Sequence, residues 1–307
     1  MLNLHRLRIL SELQQRGTLV EVARVLSYSP STLSQQLSTL EQEVGVALLE
    51  PAGRRIELTR HGRLLAGHAR QLIANAERAE AELRSSLSEP RGVVRLGCFQ
   101  TAALVFIADL LTYVATQWPH LRLEVAEIAP DGAIEALLGH DYDMVLGEEY
   151  PGRPLPREAG ATLTPLARDQ LYLVGDAESP PTQLTDLADA DWVMEPRGNV
   201  ARDWATAVCR EAGFEPRVRY ESADLLVQMR LAETGHAVAL LPGMVWAARA
   251  GKVSRVPLSP PQSRGIFTAV RTTTAGDPAL EATRRSLEET VGTHATEHGQ
   301  PGSATTP

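Results

Sequence analysis

Apolar positions in the first sixty residues recur at helical spacing, in short blocks broken by turn and capping residues. Residues 4–16 predict a first helix, ended by Gly17. Thr18 and Glu21 fit a capping box, in which a hydroxyl and a carboxylate each satisfy a backbone N–H at a helix start. Val22, Ala23 and Leu26 give the next helix a narrow apolar stripe, with small Ala23 admitting a close neighbour. After a turn at Ser27-Tyr28, Ser29 is placed to cap a third helix and Pro30 to start it, where its missing N–H costs nothing. There Leu33, Leu37, Leu40 and Val44 form one buried stripe. At about 100° per residue, Ser31, Gln35, Ser38 and Gln42 fall on the opposite face, flanked by Thr32, Ser34 and Thr39. That face is polar, short and uncharged, whereas an ordinary solvated face carries a mixture of Glu, Lys and Arg. Hydroxyls and carboxamides donate and accept at base edges, and Gln pairs with adenine in the major groove. The pattern predicts a helix-turn-helix reader of DNA, with Ser31, Thr32, Ser34, Gln35 and Ser38 toward the duplex.

Gly45 ends the third helix. Residues 48–50 and 54–58 read as two strands about a turn at Pro51-Ala52-Gly53, a wing whose Arg54 and Arg55 can touch phosphates or a narrow minor groove. Thr59 caps a helix predicted to run to about residue 88, roughly 44 Å. Along it Leu65, Ala69, Leu72, Ala76, Ala79 and Leu83 alternate in steps of four and three. Such a seam, small in its middle, suits dimerisation through Leu65, Leu72 and Leu83; packing within one chain is the alternative. Glu89-Pro90-Arg91-Gly92 marks a linker.

Beyond residue 92 the pattern becomes alternating strands and helices. Strands at 93–96, 121–128 and 143–146, with helices at 101–117 and 131–138 between them, predict a parallel α/β unit. A second unit has strands at 170–174, 192–194, 217–220, 238–241 and 253–256. Residues 266–270 then return to the first unit, followed by a closing helix from 278 to about 291. Two such lobes make a clamshell. Ligands of open parallel sheets sit beyond the carboxyl ends of strands. That rule selects Cys98, Phe99, Gln100 and Thr101, then Pro130 and Asp131, then Glu148 in the first lobe. In the second it selects Glu195, Arg197 and Gly243. The N–H groups near Gln100 and Thr101 can hold an anion. Asp131 can instead be a helix cap, and Glu148-Glu149 either disfavour an anionic ligand or pair with Arg197.

Composition adjusts this picture modestly. The chain has 307 residues and a net charge of −8, which by itself disfavours nucleic acid. Residues 1–65 carry eight Arg against six Glu, a net of +2, so the remainder holds −10: a mildly basic head on an acidic body. Two cysteines, Cys98 and Cys209, are too few for a disulfide framework, although Cys98 is a conceivable redox thiol. No apolar run approaches the roughly 18 residues of a membrane span, and no signal peptide is evident, so a cytoplasmic location is expected. The string His294-x-x-Glu297-His298 matches a zinc pattern but falls where a helix meets a Gly/Pro/Ser tail; no metal and no cofactor are expected.

The chain resembles the LysR-type transcriptional regulators. The motifs are Ala23-x-x-Leu26-x-x-Ser29, Leu33-Ser34-Gln35-Gln36-Leu37, Leu40-Glu41-x-Glu43-x-Gly45-x-x-Leu48, Gly53-Arg54-Arg55 and Leu58-Thr59-x-x-Gly62. Asp143 to Leu146, Ala212 to Pro216, and Gly235 through Leu241-Pro242 continue the likeness. The resemblance implies an α/β chain with four parts. These are a winged helix-turn-helix (1–58), a linker and dimerisation helix (59–90), a two-lobed effector domain like that of periplasmic binding proteins (91–292), and a disordered tail (293–307). Lobe I is 91–164 with 266–292, and lobe II is 165–265. It further implies a homodimer or homotetramer that binds double-stranded promoter DNA, senses a small-molecule effector, and acts on RNA polymerase. By position, Ser31, Thr32, Ser34, Gln35 and Arg54 would contact DNA, and Phe99, Gln100 and Thr101 the effector. Pro30, Gln35 and Pro51 depart from the family's usual Gln, Arg or Lys, and Arg. Fewer cations there favour adenine over guanine and a weaker salt dependence. A constitutive regulator with a vestigial cleft, and an enzyme in the clamshell with an autoregulatory DNA module, are the alternatives.

Overall fold

The computed structural model describes residues 2–26, 28–52, 55–85, 89–154, 160–178, 180–181, 183–247 and 253–297. The chain divides into two units, residues 1–88 with 139–141 and 272–278, and residues 89–138, 142–271 and 279–307. The first holds α1 (Leu4–Arg16), α2 (Leu19–Leu26), α3 (Pro30–Val44), β1 (Leu49–Ala52), β2 (Arg55–Leu58) and α4 (Arg60–Ser85). Each boundary has a local cause. Asn3 caps α1, and Gly17 ends it at φ 76°, a left-handed conformation that costs glycine nothing. The Thr18 hydroxyl accepts from Glu21 N–H at 3.3 Å, while the Glu21 carboxylate turns to Arg24 at 3.2 Å. Ser29 caps α3 by accepting from Thr32 N–H at 3.1 Å, with Pro30 in the first turn.

Leu33, Leu37 and Leu40 are wholly buried against Leu7, Ile9, Leu10, Leu13, Val22 and Ala23, so the helical stripe is the core of this unit. Burying such a side chain fully is favourable by about 1.5–3 kcal/mol. Val44, expected in the stripe, is only partly buried. Glu41 anchors the wing by accepting from Leu48 N–H at 2.7 Å and Leu49 N–H at 3.0 Å. Pro51 and Ala52, expected in the turn, continue β1 opposite Ile56 and Arg55. Gly62 lies where α4 meets this segment; a Cβ there would stand 2.2 Å from the Leu48 carbonyl oxygen. Ala66 and Ala69 of α4 are buried with Leu65 packed beside them, so the first turns of the expected dimer seam serve the chain's own core. Farther along, Leu72 is 41% and Leu83 72% exposed.

The second unit contains β3 (Gly92–Cys98), α5 (Gln100–Gln117), β4 (Leu121–Glu127), α6 (Ala133–Leu138), β5 (Met144–Glu149), β6 (Ala161–Asp176), β7 (Asp191–Met194), α7 (Val200–Glu211), β8 (Arg217–Glu221), α8 (Leu225–Glu233), β9 (Ala239–Pro242), β10 (Val253–Pro257), β11 (Ser263–Arg271) and α9 (Pro278–Glu297). In lobe I, β3 pairs in parallel with β4 and β5, but β11 runs antiparallel to β5, so the sheet is mixed rather than all-parallel. The expected boundary at residue 165 falls inside one 16-residue strand. The first part of β6 pairs with β11, and its last part with β9 and β10 of lobe II. The lobes therefore meet along β6, near Asp169 and Gln170. In lobe I, Asp143 immediately precedes β5, where it accepts from Arg95 backbone N–H at 3.0 Å and from the Arg95 guanidinium at 2.9 and 3.1 Å, beside Arg271 at 3.4 Å. The closing helix α9 reaches Glu297, so residues 293–297 are helical rather than part of the expected tail, and 298–307 lie outside the described residues.

Candidate nucleic-acid interface and effector cleft

Ser31, Ser34, Gln35, Ser38 and Gln42 are all exposed along α3, opposite its leucine stripe, and Thr32 is half-buried at the start. Helical period alone produces this split, because leucines spaced by three and four turn the intervening polar residues outward. Two of the five are braced: Ser31 Oγ lies 2.7 Å from Ser29 Oγ, and the Gln35 carbonyl accepts from Thr39 Oγ1 at 2.9 Å. The Ser29 hydroxyl also meets Thr32 Oγ1 at 2.8 Å. From α1, Arg6 holds the inner flank of α3 by donating to Gln36 at 3.0 Å and to Glu43. Gln35 thus stands on a helix whose position is fixed by Arg6, Glu41 and the core. Arg54 and the side chain of Arg55 lie outside the described residues.

The second candidate region lies between the lobes of the second unit, and its centre is a residue the sequence reading passed over. Arg264 of β11 is 1% exposed and is the cross-strand partner of Asp169 on β6. Its Nε and Nη2 donate to Asp169 Oδ2 at 3.0 and 2.8 Å, its Nη2 to Thr101 Oγ1 at 2.7 Å, and its Nη1 to Glu148. It also lies 3.9 Å from Met244 Sδ and 5.1 Å from the Phe99 ring centroid, and its charge acts on the buried Tyr150 side chain. Asp169 Oδ1 accepts from Met244 N–H at 3.1 Å, which ties the Gly243 turn of lobe II to the centre. A Cβ on Gly243 would come within 2.9 Å of that same oxygen, so the turn needs glycine.

Burial works against every charge in this cluster. It pushes the Glu148 and Asp169 carboxyls up, and Arg264 offsets part of the effect. Burial would lower Arg264, but the two carboxylates hold it protonated and raise it above its ordinary value. Glu195 sits 8% exposed at the end of β7, pushed up by burial; its own N–H and the Gln228 amide donate to it. Arg202, the guanidinium beside it, is bound to the Glu195 carbonyl oxygen at 2.7 Å and to Glu221 at 3.0 Å.

Two lobe I side chains reach into lobe II. Gln100 donates from Nε2 to Asp224 Oδ1 at 3.0 Å and accepts from Leu225 N–H at 3.1 Å, at the start of α8. Asp131 accepts from Val200 N–H at the start of α7, and its carboxyl is raised by burial and then by Asp203. Pro130 is half-buried beside it.

Of the residues selected from strand ends, Thr101, Phe99 and Glu148 converge on Arg264 and Gly243 on its partner Asp169, with Glu195 near enough to feel the Arg264 charge. Arg197 is exposed on its turn, and Glu148 pairs with Arg264, which decides against a Glu148–Arg197 pair, one of the two alternatives the sequence left open. Cys98 also needs correction as a lining residue. It is wholly buried between β3 and β4 with its thiol 3.7 Å from the Ala126 carbonyl oxygen, because inward alternation points it into the lobe I core. Burial pushes its thiol up to about 11 and that of Cys209 up to about 12, so both are protonated at neutral pH, contrary to what a redox sensor needs. Asp169, Tyr150 and Arg264 were missed although a signal existed. Asp169 shares the inward parity of Leu171 and Leu173, and Arg264 that of Ile266, and a charged residue at an inward strand position marks a buried polar centre.

Comparisons with known proteins match both units of the chain. The family pattern described as "Bacterial regulatory helix-turn-helix protein, lysR family" matches residues 4–63, and that described as "LysR substrate binding domain" matches residues 87–292. The transcriptional dual regulator GltC of Bacillus subtilis (strain 168) is 28% identical over 269 residues, covering 85% of this chain and 88% of the relative. A probable hydrogen peroxide-inducible genes activator of Mycobacterium avium is 30% identical over 227 residues, covering 72% and 71%. Among solved structures, a full-length variant of OxyR from Pseudomonas aeruginosa superposes with a TM-score of 0.69 at 20% identity, covering 94% of this chain and 95% of that one. CbnR in complex with its target DNA gives 0.52 at 22% identity, with 94% and 100% covered. At those identities the structural likeness speaks for the fold. The matched families are regulatory, which decides against the clamshell enzyme weighed from the sequence. With the two patterns together spanning nearly the whole described chain in the expected order, this protein belongs to the LysR family of bacterial transcriptional regulators.

Proposed function

We propose that this LysR-type regulator reads its promoter through the exposed face of α3 and reports on a small molecule held between the lobes of its second unit. The observation that carries the DNA half is the uncharged face Ser31, Ser34, Gln35 and Ser38, exposed on a helix braced by Arg6 and Glu41. Gln35 reads a base edge, with adenine the natural partner, while Arg54 and Arg55 of the wing supply phosphate contacts. The exposed Leu72 and Leu83 of α4 support self-association as a homodimer or homotetramer. The effector half rests on the polar centre formed by Thr101, Glu148, Asp169 and Arg264 beside Glu195, and on the bridges made by Gln100 and Asp131. Both bridges change if the lobes open. RNA polymerase is the expected downstream partner and the cytoplasm the expected location. No described helix is long and apolar enough to cross a membrane.

The test is a binding series on a base-substituted operator. Gln35→Ala relaxes preference at one base pair, losing about 1–3 kcal/mol of discrimination, whereas Arg54→Ala weakens all sequences alike and lowers the salt slope. Identical behaviour of the two variants refutes the assignment. Footprints taken with and without a metabolite panel test the effector half; an unchanged footprint throughout favours a constitutive regulator.

A further inference from the structure

We infer that Arg6 of α1 contacts a DNA phosphate on the flank of α3 opposite the wing, and that Glu43 weakens this contact by sharing the same guanidinium. The inference rests on the reading of α3 as the DNA-binding helix and adds to it a contact residue and a charge that tunes affinity.

Three observations lead to it. First, α3 has no Lys, Arg or His of its own, yet carries two carboxylates, Glu41 and Glu43. A helix seated between two rows of phosphates then needs cations from neighbouring elements. Arg6 is the one cation bonded to α3 among the described residues. Second, Arg6 lies on the side the wing leaves unserved. At about 100° per residue, Gln36 and Glu43, which hold Arg6, fall within about 20° of each other. Glu41, which anchors the wing, falls about 140° from Gln36 by the same count, with the outward face of Gln35 between them. A helix with its side chains is about 10–12 Å across and the major groove about 12 Å wide, so both flanks meet a phosphate wall. Arg54 and Arg55 serve the wall on the wing side, and Arg6 is their counterpart at the other. One residue earlier, exposed His5 meets exposed Tyr28 with ring centroids 5.5 Å apart, so the first turn of α1 runs beside the entry to α3.

Third, this guanidinium has donors to spare. Its Nε donates to Gln36 Oε1 at 3.0 Å and its Nη1 to Glu43, which leaves three of five N–H groups without a bond among the described residues. The side chain is 21% exposed. Gln36 accepts from Arg6 through its amide oxygen, so its Nε2 hydrogens are what it can offer outward. Both groups therefore present donors, and a phosphate, which accepts through its oxygens, is their match. Glu43 is exposed and acts the other way. It neutralises the cation in the free protein and repels the phosphate that would bind it. The pair is a cation held below full strength, and removing the Glu43 charge releases it.

The test measures binding of the full-length protein to two duplexes, one selected by the parent from random oligonucleotides and one scrambled, between about 50 and 200 mM salt. Arg6→Gln should make the slope of log K against log salt shallower by about 0.9 on both duplexes, the loss of one phosphate contact. Base preference along the selected duplex should stay as in the parent. Arg6→Lys should keep the parent's slope, because the charge remains. Glu43→Gln should bind both duplexes at least about twofold more tightly at the lower salt. That variant sits at an exposed position and tests the same claim should Arg6→Gln loosen the fold. A slope left unchanged by Arg6→Gln, an equal loss of slope in Arg6→Lys, or no gain with Glu43→Gln overturns the inference while base reading by Gln35 stands. A parent with no preference for any duplex, or a Gln35→Ala variant that reads bases as the parent does, defeats the α3 reading itself and this inference with it.

Discussion

Replacing Arg264 with methionine isolates the polar centre, because methionine fills a similar volume but carries no charge and no donor. Asp169 and Glu148, 1% and 5% exposed at their side chains, would lose the one cation paired with them among the described residues. Removing one partner of a buried ion pair costs about 3–5 kcal/mol, mostly as the penalty on the charge left behind. For a unit of this size that lowers the melting temperature by roughly 6–20 °C. The loss has a distinctive pH dependence. Burial already raises both carboxyls and Arg264 opposes that rise, so without Arg264 they climb further. Between the unfolded carboxylate value of about 4 and the raised folded value, the native variant binds more protons than its unfolded chain. Its stability therefore falls as pH rises, by at most about 1.4 kcal/mol per unit for each proton. Urea unfolding of parent and Arg264→Met at pH 5, 6.5 and 8 measures this directly, and the gap should widen with pH. Adding Glu148→Gln and Asp169→Asn should recover much of the loss and flatten the slope. A gap that is constant across pH, or below about 1 kcal/mol at pH 8, refutes the reasoning.

Other expectations follow from single contacts. Gly62→Ala places a Cβ against the Leu48 carbonyl oxygen and should destabilise the first unit by about 1–3 kcal/mol, seen as a lower urea midpoint together with weaker operator binding. Glu41→Ala leaves the N–H groups of Leu48 and Leu49 without their acceptor, a loss of about 1–3 kcal/mol by the same assay. Asp143 behaves oppositely to the buried centre. Burial acts to raise it, but the bonds from Arg95 and the charges of Arg95 and Arg271 prevail and hold it below the usual carboxylate range. Its contribution is present above the unfolded value and disappears as pH falls through the folded one. Asp143→Asn should thus be less stable than the parent at pH 7, and the difference should vanish on acidification; a difference that persists in acid contradicts the assignment. Gln100→Ala removes two bonds between the lobes, and small-angle scattering of the full chain should report a wider distribution of lobe separations.

Local order was legible wherever a short-range rule fixes it. Leu33, Leu37 and Leu40 lie within two turns of one helix, so spacing alone defines their shared face and leaves Ser31 and Gln35 outward. Ser29, Pro30, Gly17 and Gly45 mark helix ends because the backbone groups they satisfy, or the left-handed angles they adopt, are one to four residues away. The strand-end rule found Thr101 and Gly243, just past the ends of β3 and β9, and it found Glu148 although β5 runs on through that residue to Glu149. It misled at Cys98, where residue alternation, rather than position at the strand end, decides which way the thiol points.

By itself the sequence determined the family, the helix-turn-helix, the linker helix and the alternation of strands and helices, all set by periodicity, caps and motifs within about twenty residues. Only the tertiary structure decided what lies between the lobes. Arg264 meets Asp169 across 95 positions, Glu148 across 116 and Thr101 across 163. Those partnerships exist because β6 and β11 run antiparallel where the lobes join. A burial energy that depends on such crossings leaves no mark in the spacing of residues along the chain, so the centre of the cleft had to be seen folded to be found.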